Sequence, residues 1–149
     1  MKKFRFTLQS LLGVKVSLEK QKTAELAEQS RIVRMLEDEL ADIKRRLNNS
    51  VAEFNRKMEQ GGVPQGDAVS YSGGFRAARD HLAEQLKRIT RAEKVREKLQ
   101  KELTELMGER KMLEKIRERQ YEEYLTEAAR EDAKTMDDFL SNKISGGAE

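Results

Sequence analysis

One stretch limits what this chain can fold into: Gln60 to Gly74. After the leading glutamine it reads GGVPQGDAVSYSGG, with the only proline, Pro64, and glycines at 61, 62, 66, 73 and 74. Proline lacks the amide donor and clashes with the preceding turn, while glycine costs backbone entropy, so no helix is expected to run through. Long charged segments with helically spaced apolar residues lie on both sides. The pattern predicts an all-α chain in which two long helices form an antiparallel coiled-coil hairpin. Its expected parts are a first helix over 4–59, a bend over 60–74, a second helix over 75–144 and a disordered tail over 145–149, together one domain spanning 1–149.

Composition agrees with so thin a fold. Of 149 residues, 38% are charged and 37% hydrophobic, where an ordinary globular domain has ~25% and ~45–50%. That is too little apolar material for a thick core and enough for a seam between two helices. Thirty cationic and 27 anionic side chains are interspersed, for a net charge of +3, so no large single-sign field follows. Residues 1–20 are locally basic, with Lys2, Lys3, Arg5, Lys15 and Lys20 against Glu19. Such an end can meet an anionic membrane surface or an acidic partner, and it serves equally as a solvated helix start. The absence of cysteine suits a reducing compartment. In the opening MKKFRFTLQSLLGVKV the apolar run is broken by Lys15, too short for a signal peptide. No run approaches the ~20 apolar residues that span a bilayer. A soluble, cytoplasmic protein is expected.

The seam can be traced residue by residue. In the first arm Val33, Leu36, Leu40, Ile43, Leu47 and Phe54 follow the three-and-four rhythm of a coiled coil. Run backwards, the same register meets Lys22, Glu19 and Lys15 before Leu12 and Leu8. A polar seam there is either a loosened end of the hairpin or a surface meant for another chain. Thr7 or Ser10 is expected to cap the helix start. In the second arm Phe75, Ala78, Leu82, Ile89, Ala92, Leu99, Leu103, Leu106 and Leu113 keep the rhythm, interrupted by Gln85, Arg96 and Arg110. Asp42–Arg46, Glu53–Lys57, Glu84–Arg88 and Glu97–Lys101 are spaced as outer-face ion pairs, each worth only ~0.2–0.5 kcal/mol.

Folding at the bend is expected to place residue i opposite roughly residue 134−i. Leu36 then faces Leu99, Leu47 faces Leu86, and Phe4 and Phe6 lie near residues 128–130. Beyond them Met136, Phe139, Leu140 and Ile144 still form a helical apolar stripe, with no internal helix to cover it. An uncovered stripe of this kind reads as a partner-binding face.

Catalysis is not expected. His81 is the only histidine and there is no cysteine, so converging metal ligands or an acid–base pair are missing. Carboxylates on paired helices have no concave site to desolvate them. The glycines of the bend are followed by no Lys-Ser/Thr pair and do not form a phosphate-binding loop. No cofactor is implied. Lys and Arg are matched by Glu and Asp along both arms, which argues against a nucleic-acid-binding helical arm.

Two stretches carry a family resemblance. The opening FRFTLQSLLGVKVSLEKQK and the ending MLEKIRERQYEEYLTEAAREDAKTMDDF resemble the corresponding ends of FliJ proteins, and an aromatic at the restart of the second helix, Phe75, fits as well. The resemblance implies a non-enzymatic soluble component of the flagellar type III protein export apparatus, similar to the stalk of rotary ATPases. It further implies insertion of the terminal end into the ring of the export ATPase (FliI-like), contact with the export gate (FlhA-like) and handling of export chaperones, at the inner face of the bacterial cell membrane. Carried onto this sequence, ring contact falls to Phe4, Phe6, Leu8, Tyr121, Tyr124, Met136 and Phe139. Gate contact falls to Phe75, Leu82 and Leu86, although Arg79 stands where the family pattern calls for an apolar residue, and Leu82 fits the hairpin seam better than the gate. The isolated chain is expected to be a monomer. The rival is a structural coiled coil that self-associates through its Met136–Ile144 stripe.

Overall fold

The computed structural model describes residues 2–147, which form a helical hairpin of two helices, α1 (Gln9–Glu59) and α2 (Gln65–Gly146). Both helices begin elsewhere than the sequence suggests. Residues 2–6 are not helical, and α1 opens through a turn in which the Gln9 amide donates to the Phe6 carbonyl at 3.1 Å. Leu8, not Thr7 or Ser10, therefore stands at the cap position, its carbonyl accepting from the Leu12 amide at 2.9 Å. The non-helical leader matters because it lets the Phe6 side chain fold back onto Leu12.

The bend is much shorter than expected, because its residues differ in breaking power. Gly61 (φ 131) and Gly62 (φ 91) lie in the left-handed region that glycine enters without steric cost. The Gly62 amide donates to the Lys57 carbonyl at 3.2 Å, the six-to-one bond that closes a helix in a Schellman motif. Pro64 then starts the next helix: its carbonyl accepts from the Ala68 amide at 2.9 Å, and its missing donor is no loss at a helix start. Gly66, Gly73 and Gly74, expected within the bend, lie inside α2. Interior glycine costs ~1 kcal/mol, against ~3 kcal/mol for interior proline, so packing can override the first more readily than the second. The helix also continues to Gly146 at its far end. Of the tail expected over 145–149, Ser145 and Gly146 are thus helical, and residues 148–149 lie outside the described residues.

The shorter bend moves the register. Leu36 meets Gln85 rather than Leu99, and Lys15 meets Glu109. In both cases the partner sits earlier on α2 than a bend centred near residue 67 would place it.

Contacts divide the chain into two units, one of residues 1–20 with 104–149 and one of residues 21–103. The 21–103 unit is built on Val33, Leu36, Ile89 and Ala92, flanked by Ile32 and Leu40. Gln85, which looked like an interruption of the stripe, is buried at 1% exposure. Its Nε2 donates to the Leu36 carbonyl and to Glu39 Oε2, each at 2.9 Å, and its Oε1 accepts from Arg88 Nη1 at 3.3 Å. Gln29 Nε2 similarly reaches the Ala92 carbonyl at 3.0 Å. A buried amide costs stability unless it is satisfied, and both side chains donate from Nε2 to the opposing helix. The unit holding the chain termini is built on Phe6, Leu12 and Leu113, with Phe4, Val16 and Ile116 packed around them.

The polar seam positions are closed by ion pairs between the helices. Lys15 meets Glu109 at 2.6 Å and Arg110 meets Glu19 at 2.5 Å in one unit, and Lys22 meets Glu102 at 2.8 Å in the other. This stretch is therefore neither loosened nor left open for another chain. On the outer face Glu53–Lys57 forms at 3.4 Å, whereas Asp42 pairs with Arg45 in place of Arg46.

Candidate functional site

Two surfaces collect the residues that the sequence singled out, and each is built on a ring cluster. In the unit holding the termini, the Phe4 ring lies 5.1 Å from that of Tyr121 and 5.5 Å from that of Tyr124. The non-helical leader places Phe4 there, and Tyr124 holds it by donating its hydroxyl to the Lys2 carbonyl at 2.9 Å. Phe6 is buried at 7% exposure, so its role is to anchor the leader, and it offers no surface while the leader is docked. Phe4 and Tyr124 are half-buried, whereas Tyr121 and Leu8 are exposed.

Beyond the Phe4 cluster, α2 continues alone. Every residue over 129–147 is exposed, although all but the last are helical. Met136 (59%), Phe139 (62%), Leu140 (47%) and Ile144 (75%) stand out on it. At steps of three and four they share one face, flanked by Glu131, Asp132, Asp137 and Asp138. Helices in proteins owe most of their stability to packing of such a face, and no other part of the described residues covers this one.

The second surface lies in the 21–103 unit beside the bend. Phe54, Tyr71 and Phe75 form another three-ring cluster, with centroids 5.2 to 5.9 Å apart. The Tyr71 hydroxyl accepts from Lys57 Nζ at 2.8 Å and donates to Glu53 Oε1 at 3.4 Å. The Lys57 ammonium lies 5.2 Å from the ring centroid, off the hydroxyl end of the ring, so the contact is a hydrogen bond and not a cation–π pair. That hydroxyl, and then Glu53, raise the Lys57 pKa above the ordinary lysine value. A groove of about 540 Å³ runs beside the cluster, with Ile43, Leu47, Phe75 and Ala78 as its apolar lining and Arg46 and His81 among its polar residues. Leu82 is half-buried in the seam and Leu86 is exposed at 50%. Phe75 and Leu86 are thus partly accessible, and Leu82 contributes mainly to the hairpin. Sequence reasoning missed Tyr71 because the bend was expected to contain it; the spacing of Tyr71, Phe75 and Ala78 is the signal that could have found it.

Pairing is the leading cause where a pKa departs from its ordinary value. Glu102 is held below the usual carboxylate value by its bond to Lys22, and Lys22 is raised by Glu102 and then Glu25. Arg110 is raised by Glu19 and then Glu114. Among the described residues no group of His, Cys, Asp and Glu is arranged to hold a metal ion, and no helix is long and apolar enough to cross a membrane. What the two surfaces can do is present apolar and aromatic side chains, framed by charge, to another macromolecule.

The family model described as flagellar FliJ protein matches residues 4–149. No curated protein and no solved structure matched the chain.

Proposed function

Since the chain belongs to the flagellar FliJ family, and so to the components of the flagellar export apparatus, we propose that it acts as a non-enzymatic stalk for the export ATPase ring. The uncovered last turns of α2 carry this reading. Met136, Phe139, Leu140 and Ile144 lie on one side of a helix with no internal cover, and the cavity of a ring supplies the missing cover. Tyr121 and Leu8 extend the accessible surface toward the leader. Phe4 and Tyr124 stiffen its base, and Phe6 contributes only by holding the leader in place.

A second contact, with the export gate, falls on Phe75 near the bend and on Leu86 about three turns farther along α2, with half-buried Leu82 between them. Engagement of the ring, the gate and export chaperones holds the protein at the inner face of the cell membrane. Promotion of ring assembly follows from the shape of the reading: a helix end that touches several subunits stabilises the closed ring over separate subunits.

A pull-down with the export ATPase tests the ring contact. The full chain is expected to retain the ATPase, and a chain truncated before Met136 to lose it. Equal retention would remove the uncovered stripe from the reading. Self-association through the same stripe is the competing use of it, and sedimentation separates the two. A mass that stays monomeric as concentration rises supports the ring reading, while a tight dimer abolished by Phe139→Asp supports the rival.

A further inference from the structure

The first turns of α2 contain a conflict between local preference and adopted structure. Residues 65–74 read QGDAVSYSGG, a composition suited to a loop, yet they are helical. Each interior glycine lowers the helix equilibrium about fivefold relative to alanine; Gly73 and Gly74 lie in the helix interior, and Gly66 in its first turn. The Ser70 hydroxyl donates to the Gly66 carbonyl at 3.2 Å, a back-bond that weakens helices slightly. Little packing compensates. From Gln65 to Gly74 only Ala68 and Tyr71 are even half-buried, and only Tyr71 has ring contacts and hydrogen bonds to α1. None of the three glycines has a neighbour within 4 Å of where a Cβ would stand, and none has a positive φ. Close packing and backbone strain therefore do not account for glycine at these positions.

We propose that residues 65–74 are a switchable segment, helical while Tyr71 is docked between Phe54 and Phe75 and unwound when it is not. A local element of low stability within an ordered helix opens on its own, ahead of the rest. Opening lengthens the link between the helices from residues 60–64 to residues 60–74, and frees the Phe54 and Phe75 rings from Tyr71. The groove beside Ile43 and Leu47 loses the part of its wall formed by Asp67, Ser70, Tyr71 and Gly74. The switch does not depend on which protein meets Phe75.

Amide hydrogen exchange on the full chain tests it. The amides of residues 69–75 are expected to exchange at least about tenfold faster than those of Ile89 and Ala92 in the buried seam. Gly73→Ala and Gly74→Ala should each slow exchange in the segment about fivefold, and Tyr71→Ala should accelerate it there. Should Tyr71→Ala loosen the whole hairpin, the two glycine variants still decide, since they leave the ring contacts in place. Protection over 69–75 equal to that at Ile89 and Ala92 would overturn the proposal. So would fast exchange that neither glycine variant slows.

Discussion

Phe4, Tyr121 and Tyr124 form one three-ring cluster, and Phe54, Tyr71 and Phe75 form another. The two look alike in ring number and spacing, and in each a tyrosine hydroxyl reaches across to the partner segment. They differ in what stands behind them. The first is backed by buried Phe6, Leu12 and Leu113. The second rests on a glycine-bearing stretch of helix, with no residue over 65–75 classed as buried. Aromatic contacts are worth ~0.5–1.5 kcal/mol beyond the area they bury, so the ground beneath them decides whether a cluster clamps or merely latches. The leader is clamped and the start of α2 is latched.

That contrast can be broken by substitution. Phe6→Ala removes a buried ring and is expected to cost about 3 kcal/mol, read as a lower urea midpoint with loss of amide protection in the first turns of α1. Phe54→Ala removes a half-exposed ring and should cost about 1–2 kcal/mol, with its loss of protection confined to the start of α2. An equal or larger cost for Phe54→Ala would reverse the comparison. The hydroxyls give a finer test. Tyr124→Phe releases the exposed Lys2 carbonyl and Tyr71→Phe releases two exposed charged side chains, all of which water can serve. Both should cost below about 1 kcal/mol in urea midpoint, and a larger cost for either would mark its hydroxyl as part of the clamp.

The smallest expected effect concerns pH. Glu102 titrates below its ordinary value because of Lys22. Its stabilising contribution is therefore complete above the ordinary glutamate value and lost as pH falls through the lowered one. Lys22 is raised, so its contribution is complete below the ordinary lysine value and lost as pH rises past the raised one. Between these limits stability from the pair should be flat. Both groups are solvent-accessible, and the effect should fade with added salt. Glu102→Gln removes the acid-side loss if the assignment is right; an unchanged acid limb in urea midpoints would count against it.

The seam was legible in advance because its signal is periodic and local. Val33, Leu36, Ile89, Ala92, Leu103 and Leu113 are all buried where the three-and-four spacing puts them. The polar seam positions were legible as positions but not as partners. That Lys15, Glu19 and Lys22 find Glu109, Arg110 and Glu102 depends on register, and register depends on where the second helix starts. The uncovered stripe was visible in the sequence for the same reason as the seam. The burial of Phe6 was not, because a non-helical leader follows no helical period.

What the sequence determined by itself was two helices, a break between them and the faces they bury, since these rest on side-chain spacing and on the backbone limits of Gly61, Gly62 and Pro64. What the tertiary structure decided was whether residues 65–74 belong to the break or to the helix. Their glycines set a penalty small enough for the docking of one tyrosine to overcome. That docking is a contact between residues distant in sequence, which no local pattern records.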